Sequence, residues 1–219
     1  MRPLTEEEFA AETAVSSEVL DRLRRYEAVL RKWQGAINLV GPSTLADVWR
    51  RHFLDSAQLL ALGAGSGRRL VDVGSGAGFP GLVLSVLGVP DVHLIESDAR
   101  KAAFLTEAAR STGATARVHA RRVQDVSRET LGGPADVITA RAWAPPREVL
   151  SATQHLAAAA TMYLLPGGRG AEMGLTELRK AWKVDIAVLP SRTDPDSSIL
   201  RIRGVSRGTT ADSSGPPDL

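Results

Sequence analysis

Val71-Asp-Val-Gly-Ser-Gly-Ala-Gly-Phe-Pro-Gly81 is the stretch that decides how this chain folds. Leu70 to Val73 spell a short apolar strand, and glycines follow at once at 74, 76 and 78. Residues without a side chain allow positive φ and let backbone N–H groups come close to a ligand. Pro80 stands where proline suits the first turn of a helix, ahead of the nearly all-apolar run Leu82 to Leu87. Strand, glycine turn and helix open a nucleotide-type βαβ unit. The next apolar stretch, Leu94-Ile95-Glu96, ends in a carboxylate suited to the two hydroxyls of a ribose. The pattern implies a cofactor that contains adenosine.

Two such cofactors fit. Gly76-Ala-Gly78-Phe-Pro-Gly81 matches the dinucleotide fingerprint, with Glu96 twenty residues beyond Gly76. Asp72-x-Gly74-x-Gly76-x-Gly78 matches the loop that holds S-adenosylmethionine in class I methyltransferases. Chemistry favours the methyl donor. A pyrophosphate wants free N–H donors at the helix N-terminus, and Pro80 removes one. The methionine end of S-adenosylmethionine carries an ammonium that Asp72 would help neutralise, directly or through water. A tight turn that binds nothing is the bland alternative, and three alternating glycines are a costly way to build one.

With 219 residues the chain suits one large domain and a small appendage. Its 24% charged and 43% hydrophobic residues are ordinary for a globular protein. No run approaches the roughly eighteen apolar residues of a membrane span. Met1-Arg-Pro-Leu-Thr-Glu-Glu-Glu8 lacks the charged-then-apolar order of a signal peptide, so a cytoplasmic location is expected. A net charge of +2 neither demands nor excludes nucleic acid. The absence of cysteine excludes disulfides, thiolate zinc sites and cysteine-ligated iron–sulfur clusters. It also excludes the cysteine nucleophile used to methylate pyrimidine C5.

Residues 1–63 read as a helical N-terminal segment. Thr5-x-x-Glu8 is a capping box, and Ser16 or Ser17 caps a second helix with Val19, Leu23, Tyr26, Leu30 and Trp33 on one stripe. After the break at Gly41-Pro42-Ser43, a third helix puts Leu45, Val48, Trp49, His52, Phe53, Ser56, Leu59 and Leu60 on one face. From 64 to 203 strands and helices alternate. Strands are expected at 69–73, 92–96, 116–120, 136–140, 161–165, 185–189 and 198–203, with helices after the glycine loop and near 98–112, 147–159 and 171–182. This is a mostly parallel, doubly wound sheet with an antiparallel edge hairpin. Residues 204–219, rich in Gly, Ser, Thr, Asp and Pro, read as a disordered tail.

Four pieces occur in order: Trp33-x4-Asn38-Leu39, Arg51-His52-x-Leu54-Asp55-Ser56, the glycine stretch, and Arg141-Ala142 after a strand. Over about residues 20–165 the chain resembles the bacterial 16S ribosomal RNA (guanine-N7) methyltransferases, also called glucose-inhibited division protein B. The resemblance implies a Rossmann-like, S-adenosylmethionine-dependent class I methyltransferase behind a helical segment. It also implies methylation of one guanine in the decoding-region loop of 16S rRNA, with free rRNA or the 30S subunit as partner and a monomeric enzyme. Carried over by position, Gly74 and Phe79 contact the cofactor, Val123-Gln124 border its adenine, and Arg141 lies beside the donor and the incoming guanine. Asp72, Gly76, Gly78 and Glu96 complete the expected cofactor site. Gln124 stands where the family usually has an acidic residue. The family's Lys-Gly pair after the fifth strand is replaced by Leu165-Pro-Gly-Gly-Arg169, so the lysine's part is either absent here or supplied by Arg169. The match is poor beyond residue 165, which keeps open a divergent methyltransferase acting on another RNA or a small molecule, or a non-catalytic RNA-binding relative. An NAD-dependent dehydrogenase comes last.

Guanine N7 has an available lone pair, so its methylation needs alignment and electrostatics and no prior proton removal. Ala144-Pro145-Pro146-Arg147 lacks the amide and the aromatic ring used to methylate exocyclic amines. Arg141, closing the fourth strand, orients a guanine or touches a phosphate, or simply pairs with a carboxylate. Trp143 either stacks on a base or is buried against the N-terminal helices. His52 is a core histidine or a substrate residue whose tautomer Asp55 fixes. His93, His119 and His155 show no metal-ligand spacing, and no metal is expected. Arg22, Arg24, Arg25, Arg31 and Lys32, with Arg50 and Arg51, form a solvated basic face or a phosphate-contacting surface; Arg117, Arg121, Arg122 and Arg128 form a second cluster.

Overall fold

The computed structural model describes residues 2–65, 68–168 and 174–207. Its centre is a seven-stranded sheet in the order β3-β2-β1-β4-β5-β7-β6. β1 (Arg69–Val73), β2 (Asp91–Glu96), β3 (Arg117–Ala120), β4 (Ala135–Thr139) and β5 (Ala157–Gly167) run parallel. β7 (Ser198–Arg207) lies antiparallel between β5 and β6 (Trp182–Pro190), so the hairpin expected at the end forms the edge of the sheet. The chain winds outward from β1 to β3 and then returns to place β4 on the other side of β1. That reversal opens a crevice at the carboxyl ends of β1 and β4, where ligands bind in such sheets.

Local signals explain most boundaries. α1 (Glu6–Thr13) opens on the capping box of Thr5 and Glu8, and α2 (Ser17–Gln34) on the Ser16 hydroxyl. α5 (Gly81–Val86) follows the glycine turn, and α6 (Ala99–Thr112) is capped by Asp98, whose carboxylate accepts from the N–H groups of Arg100 and Lys101. Gly113 ends α6 in the left-handed conformation. α7 (Arg128–Leu131), α8 (Pro146–Thr153) and α9 (Leu175–Ala181) complete the faces of the sheet.

Three expectations need correction. The third helix is divided: α3 (Pro42–Leu45) starts on the proline expected to break it, and a π-helical turn (Trp49–Leu54) then leads into α4 (Asp55–Ala57) and a 3₁₀ turn (Gln58–Leu60). The helix expected to reach 159 ends at Thr153, because Ala157 pairs with Ala135 and the alanine run enters β5, overriding helix propensity. Gly204–Arg207 continue β7, so the expected tail starts too early, and residues 208–219 lie outside the described residues. The helical N-terminal segment packs directly on the sheet. Phe9, Leu23, Leu30, Phe53 and Leu59 share one buried cluster with Leu70, Leu94, Phe104 and Leu164 of the sheet and its helices. The opposite face of the sheet buries a second cluster against α8 and α9, including Val71, Ile138, Leu150, Tyr163 and Leu178.

Candidate active site

The glycine turn is built from inside. Gly74 N–H and Ser75 N–H donate to Ile95 O, Gly76 N–H to Glu96 Oε2 at 2.9 Å, and Gly78 N–H to Ser75 O. Gly81 N–H donates to Asp72 Oδ2 at 3.3 Å. These donors are engaged with the protein, so little is left to cradle a pyrophosphate. Gly74 and Gly76 have φ of 65° and 53° and line the crevice. At Gly76 a Cβ would meet only Gly74 O, at 3.7 Å, whereas at Gly74 it would collide with the Trp143 indole.

Two expected cofactor residues do not reach the crevice. Asp72 is fully buried; Thr139 Oγ1 donates to its Oδ1 at 2.7 Å, and burial pushes its pKa up to about 6 despite these donors. It braces the turn from beneath and is not placed to meet a ligand ammonium. Gly78 faces inward, where a Cβ would strike the Tyr26 hydroxyl, which itself donates to Ala77 O. Its lack of a side chain serves packing.

Two joined cavities occupy the crevice and share Gly74, Gly76, Lys101 and Ala142. The first, of about 740 Å³, is lined by Glu96, Val123, Gln124, Arg121, Arg122 and Trp143. Glu96, Val123 and Gln124 therefore lie together, as a site for ribose and adenine requires. Each Glu96 oxygen accepts one backbone N–H, from Gly76 and from Asp98, and keeps a lone pair for a hydroxyl. Trp143 is 38% exposed over Gly74, not buried against the N-terminal helices. The fit to S-adenosylmethionine is good: a carboxylate for the ribose, an open glycine turn, and no bed of donors for a second phosphate.

The second cavity, of about 470 Å³, brings together Arg141, His52, Asp55, Phe79, Arg51, Asp194 and Thr193. The π-helical turn supplies Arg51 and His52, with Asp55 at its end. Arg141 follows β4, with Ala142 at φ 52°, a strained conformation for a residue with a side chain. Its guanidinium lies 5.1 Å from the Phe79 ring centre. Nη1 donates to Asp55 Oδ2 at 3.0 Å and to Arg51 O at 3.2 Å, and Nη2 contacts His52 Nδ1 at 2.8 Å. The ion-pair reading of Arg141 and the crevice-facing reading thus both hold.

His52 stacks on Phe79 with ring centres 4.6 Å apart, and Phe79 stacks on Tyr26 at 5.4 Å. Burial, reinforced by the guanidinium groups of Arg141 and Arg51, lowers the His52 pKa to about 3. The neutral ring accepts from Arg141 at Nδ1, which leaves Nε2–H to donate to Thr44 Oγ1 at 2.8 Å. Arg141 and Thr44 therefore fix the tautomer, not Asp55 as expected. Asp55 turns instead to Arg141, to Thr193 Oγ1 at 2.8 Å and to Gln58 Nε2 at 3.0 Å.

Sequence reasoning missed Thr44, Lys101, Thr193 and Asp194. Asp194 pairs with Arg51 at 2.6 Å. It belongs to the β6–β7 loop, more than a hundred residues from Arg51, and no motif announces it. Arg169 lies outside the described residues; Pro166, Gly167 and Gly168 before it line the second cavity. Most of the basic face on α2 is tied down: Arg22 to carbonyls of Thr112 and Gly113, Arg24 to Glu6 and Asp21, Arg31 to Glu27. Arg117 pairs with Asp91 and Arg128 with the carbonyls of His155 and Ala157. Arg121 and Arg122 line the first cavity.

The family described as rRNA small subunit methyltransferase G (GidB) matches residues 19–193. The match runs well past residue 165, where it was expected to fade. The ribosomal RNA small subunit methyltransferase G of Rhodospirillum centenum is 53% identical over 91% of this chain and 90% of its own length. That of Paramagnetospirillum magneticum is 52% identical over 92% and 97%. Among solved structures, a mutant of MtNAS in complex with S-adenosylmethionine superposes with a TM-score of 0.56 at 16% identity, covering 93% of this chain and 85% of that one. The glycopeptide N-methyltransferase MtfA complexed with sinefungin gives 0.58 at 8%, covering 69% and 93%. These distant structures share the fold.

Proposed function

The chain belongs to the ribosomal RNA small subunit methyltransferase G family, and from that premise we propose that it methylates N7 of a guanine in the decoding-region loop of 16S rRNA, with S-adenosylmethionine as donor. Extensive identity with enzymes of one activity disfavours a divergent small-molecule substrate, and the engaged donors of the glycine turn disfavour a dinucleotide.

The observation that carries the reading is a polar cavity, continuous with the glycine turn, in which Arg141 projects over Phe79 and the neighbouring His52, Asp55 and Asp194 are each engaged by a protein partner. S-adenosylmethionine supplies a methyl group on a sulfonium, which N7 accepts with its own lone pair. The protein has no proton to remove, and its groups are arranged accordingly. His52 is neutral with Nδ1 and Nε2 both engaged, and the carboxylates of Asp55 and Asp194 are each paired with an arginine. Arg141 can donate to guanine O6, the acceptor beside N7. Glu96 holds the ribose, and Val123 and Gln124 border the adenine. Trp143 offers a ring to an unstacked base.

The same reading puts the protein in the cytoplasm as a monomer that meets its RNA free or on the 30S subunit. None of the described helices is long and apolar enough to cross a membrane. The test is transfer of labelled methyl to 30S subunits from a strain lacking the modification, mapped by cleavage specific for 7-methylguanine. One labelled guanine in the decoding loop is expected, and Arg141→Ala should lower kcat by about 100-fold or more. Incorporation elsewhere, or none with tight cofactor binding, overturns the substrate assignment.

A further inference from the structure

Arg141 presents an electrostatic difficulty. If the donor is S-adenosylmethionine, the cavity must take up a sulfonium, and the N7-methylated guanine that results is itself cationic. One positive charge moves from sulfur to the purine as the S–CH₃ bond breaks and the N7–CH₃ bond forms. An unpaired guanidinium lining the same cavity would repel that charge at every stage.

Asp55 stands where it removes the difficulty. Its Oδ2 accepts from Arg141 Nη1 at 3.0 Å, and the two side chains are 16% and 20% exposed, shielded enough for the pair to act as a unit. The remaining hydrogen-bond atoms of the network leave the carboxylate little freedom. Oδ1 accepts from Thr193 Oγ1 at 2.8 Å and from Gln58 Nε2 at 3.0 Å. Arg51, the other arginine among the described residues of the cavity, is matched by Asp194 at 2.6 Å, and His52 beside Arg141 is neutral. Arg51 and Arg141 are therefore each compensated by a carboxylate, while Arg141 keeps its position over Phe79.

Resting on the methyltransferase reading above, we propose that Asp55 is a charge-compensating and positioning residue, which lets Arg141 serve as a hydrogen-bond donor without opposing the sulfonium. Thr193 supports it from the β6–β7 loop by fixing the second carboxylate oxygen. The role differs from direct substrate contact, because Asp55 acts through Arg141 while Thr193 and Gln58 occupy its Oδ1.

S-adenosylmethionine and S-adenosylhomocysteine differ by a methyl group and one positive charge at sulfur, so the ratio of their Kd values reads the potential there. Calorimetric titration of both ligands is made on the full chain, Asp55→Asn, Arg141→Gln and the double variant. In Asp55→Asn the ratio should shift against S-adenosylmethionine by about three- to tenfold, the size a single charge exerts across a partly hydrated cleft. Arg141→Gln should shift it the other way, and the double variant should return it close to the wild-type value. An unchanged ratio in Asp55→Asn overturns the inference, whatever happens to kcat. Should that variant fail to fold, an unchanged ratio in Arg141→Gln does the same. A wild-type protein that binds neither ligand overturns the cofactor reading first, and the inference with it.

Discussion

His52 shows how a single side chain can be silent in chemistry and loud in stability. Its ring is buried between Phe79, Arg141 and Thr44, and its pKa falls to about 3. In the unfolded chain an ordinary histidine takes a proton near pH 6.5. Below that pH the unfolded state binds more protons than the native one, so stability falls on acidification. The contribution is complete above pH 6.5 and is lost as pH drops towards 3. Between pH 7 and 5 the loss from this residue should be about 2 kcal/mol. Urea midpoints of the wild type and His52→Gln at the two pH values check this: the variant should lose about 2 kcal/mol less, and equal losses would show that His52 protonates freely in the fold. At this scale the sequence exposed Gly74, Gly76, Glu96, Val123 and Gln124, which line the first cavity, because they sit on a linear motif or at a strand end. It did not reveal that Asp72 and Gly78 face inward, because a motif records which residues recur near a ligand and not which way they point. Tyr26 and Thr139, the partners that turn them inward, come from distant parts of the chain.

The π-helical turn and the β6–β7 loop are the elements that turn motif into site. Asp55 N–H reaches back to Arg50 O, widening the helix by one residue where Arg51, His52 and Asp55 must all serve one cavity. Amphipathic spacing called for a helix here and found one, but the widened turn has no periodic signature. The loop is equally unannounced, since its place depends on β7 inserting between β5 and β6. What holds it is legible only in three dimensions. Gln58, 4% exposed, accepts from Arg192 N–H at 2.9 Å and donates to Asp55, while Ser191 Oγ lies 3.3 Å from its amide nitrogen. Gln58→Leu keeps the volume and leaves those partners unsatisfied, so a loss of about 1–3 kcal/mol is expected. Hydrogen exchange should quicken in residues 191–197 and little elsewhere. Exchange unchanged in that loop, or raised evenly over the sheet, would deny Gln58 its role as the anchor.

Across the whole molecule the N-terminal helices and the sheet form one body with the site along their seam. Trp33 meets Phe104 edge-on with ring centres 5.9 Å apart, Arg22 donates to the C-terminal carbonyls of α6, and Tyr26 reaches the glycine turn itself. Gln34 holds the backbone of Leu39 and Val40 at the cavity wall. A boundary at residue 63 is natural in the sequence, where helical periodicity gives way to alternation, yet the apolar stripe of α2 is covered by the sheet's own core. Packing of that kind makes unfolding cooperative: the helices have no second core to retain, and the sheet would expose its face without them. Leu30, fully buried in α2, offers the test. Leu30→Ala should cost about 2–5 kcal/mol and move a single thermal transition downward as a whole. Calorimetric and van't Hoff enthalpies should agree in both proteins, and S-adenosylmethionine should raise the Tm of that same transition. A separate low-temperature transition in the variant, with ligand binding retained above it, would mean that the N-terminal segment folds as its own unit and that the seam is an interface between domains.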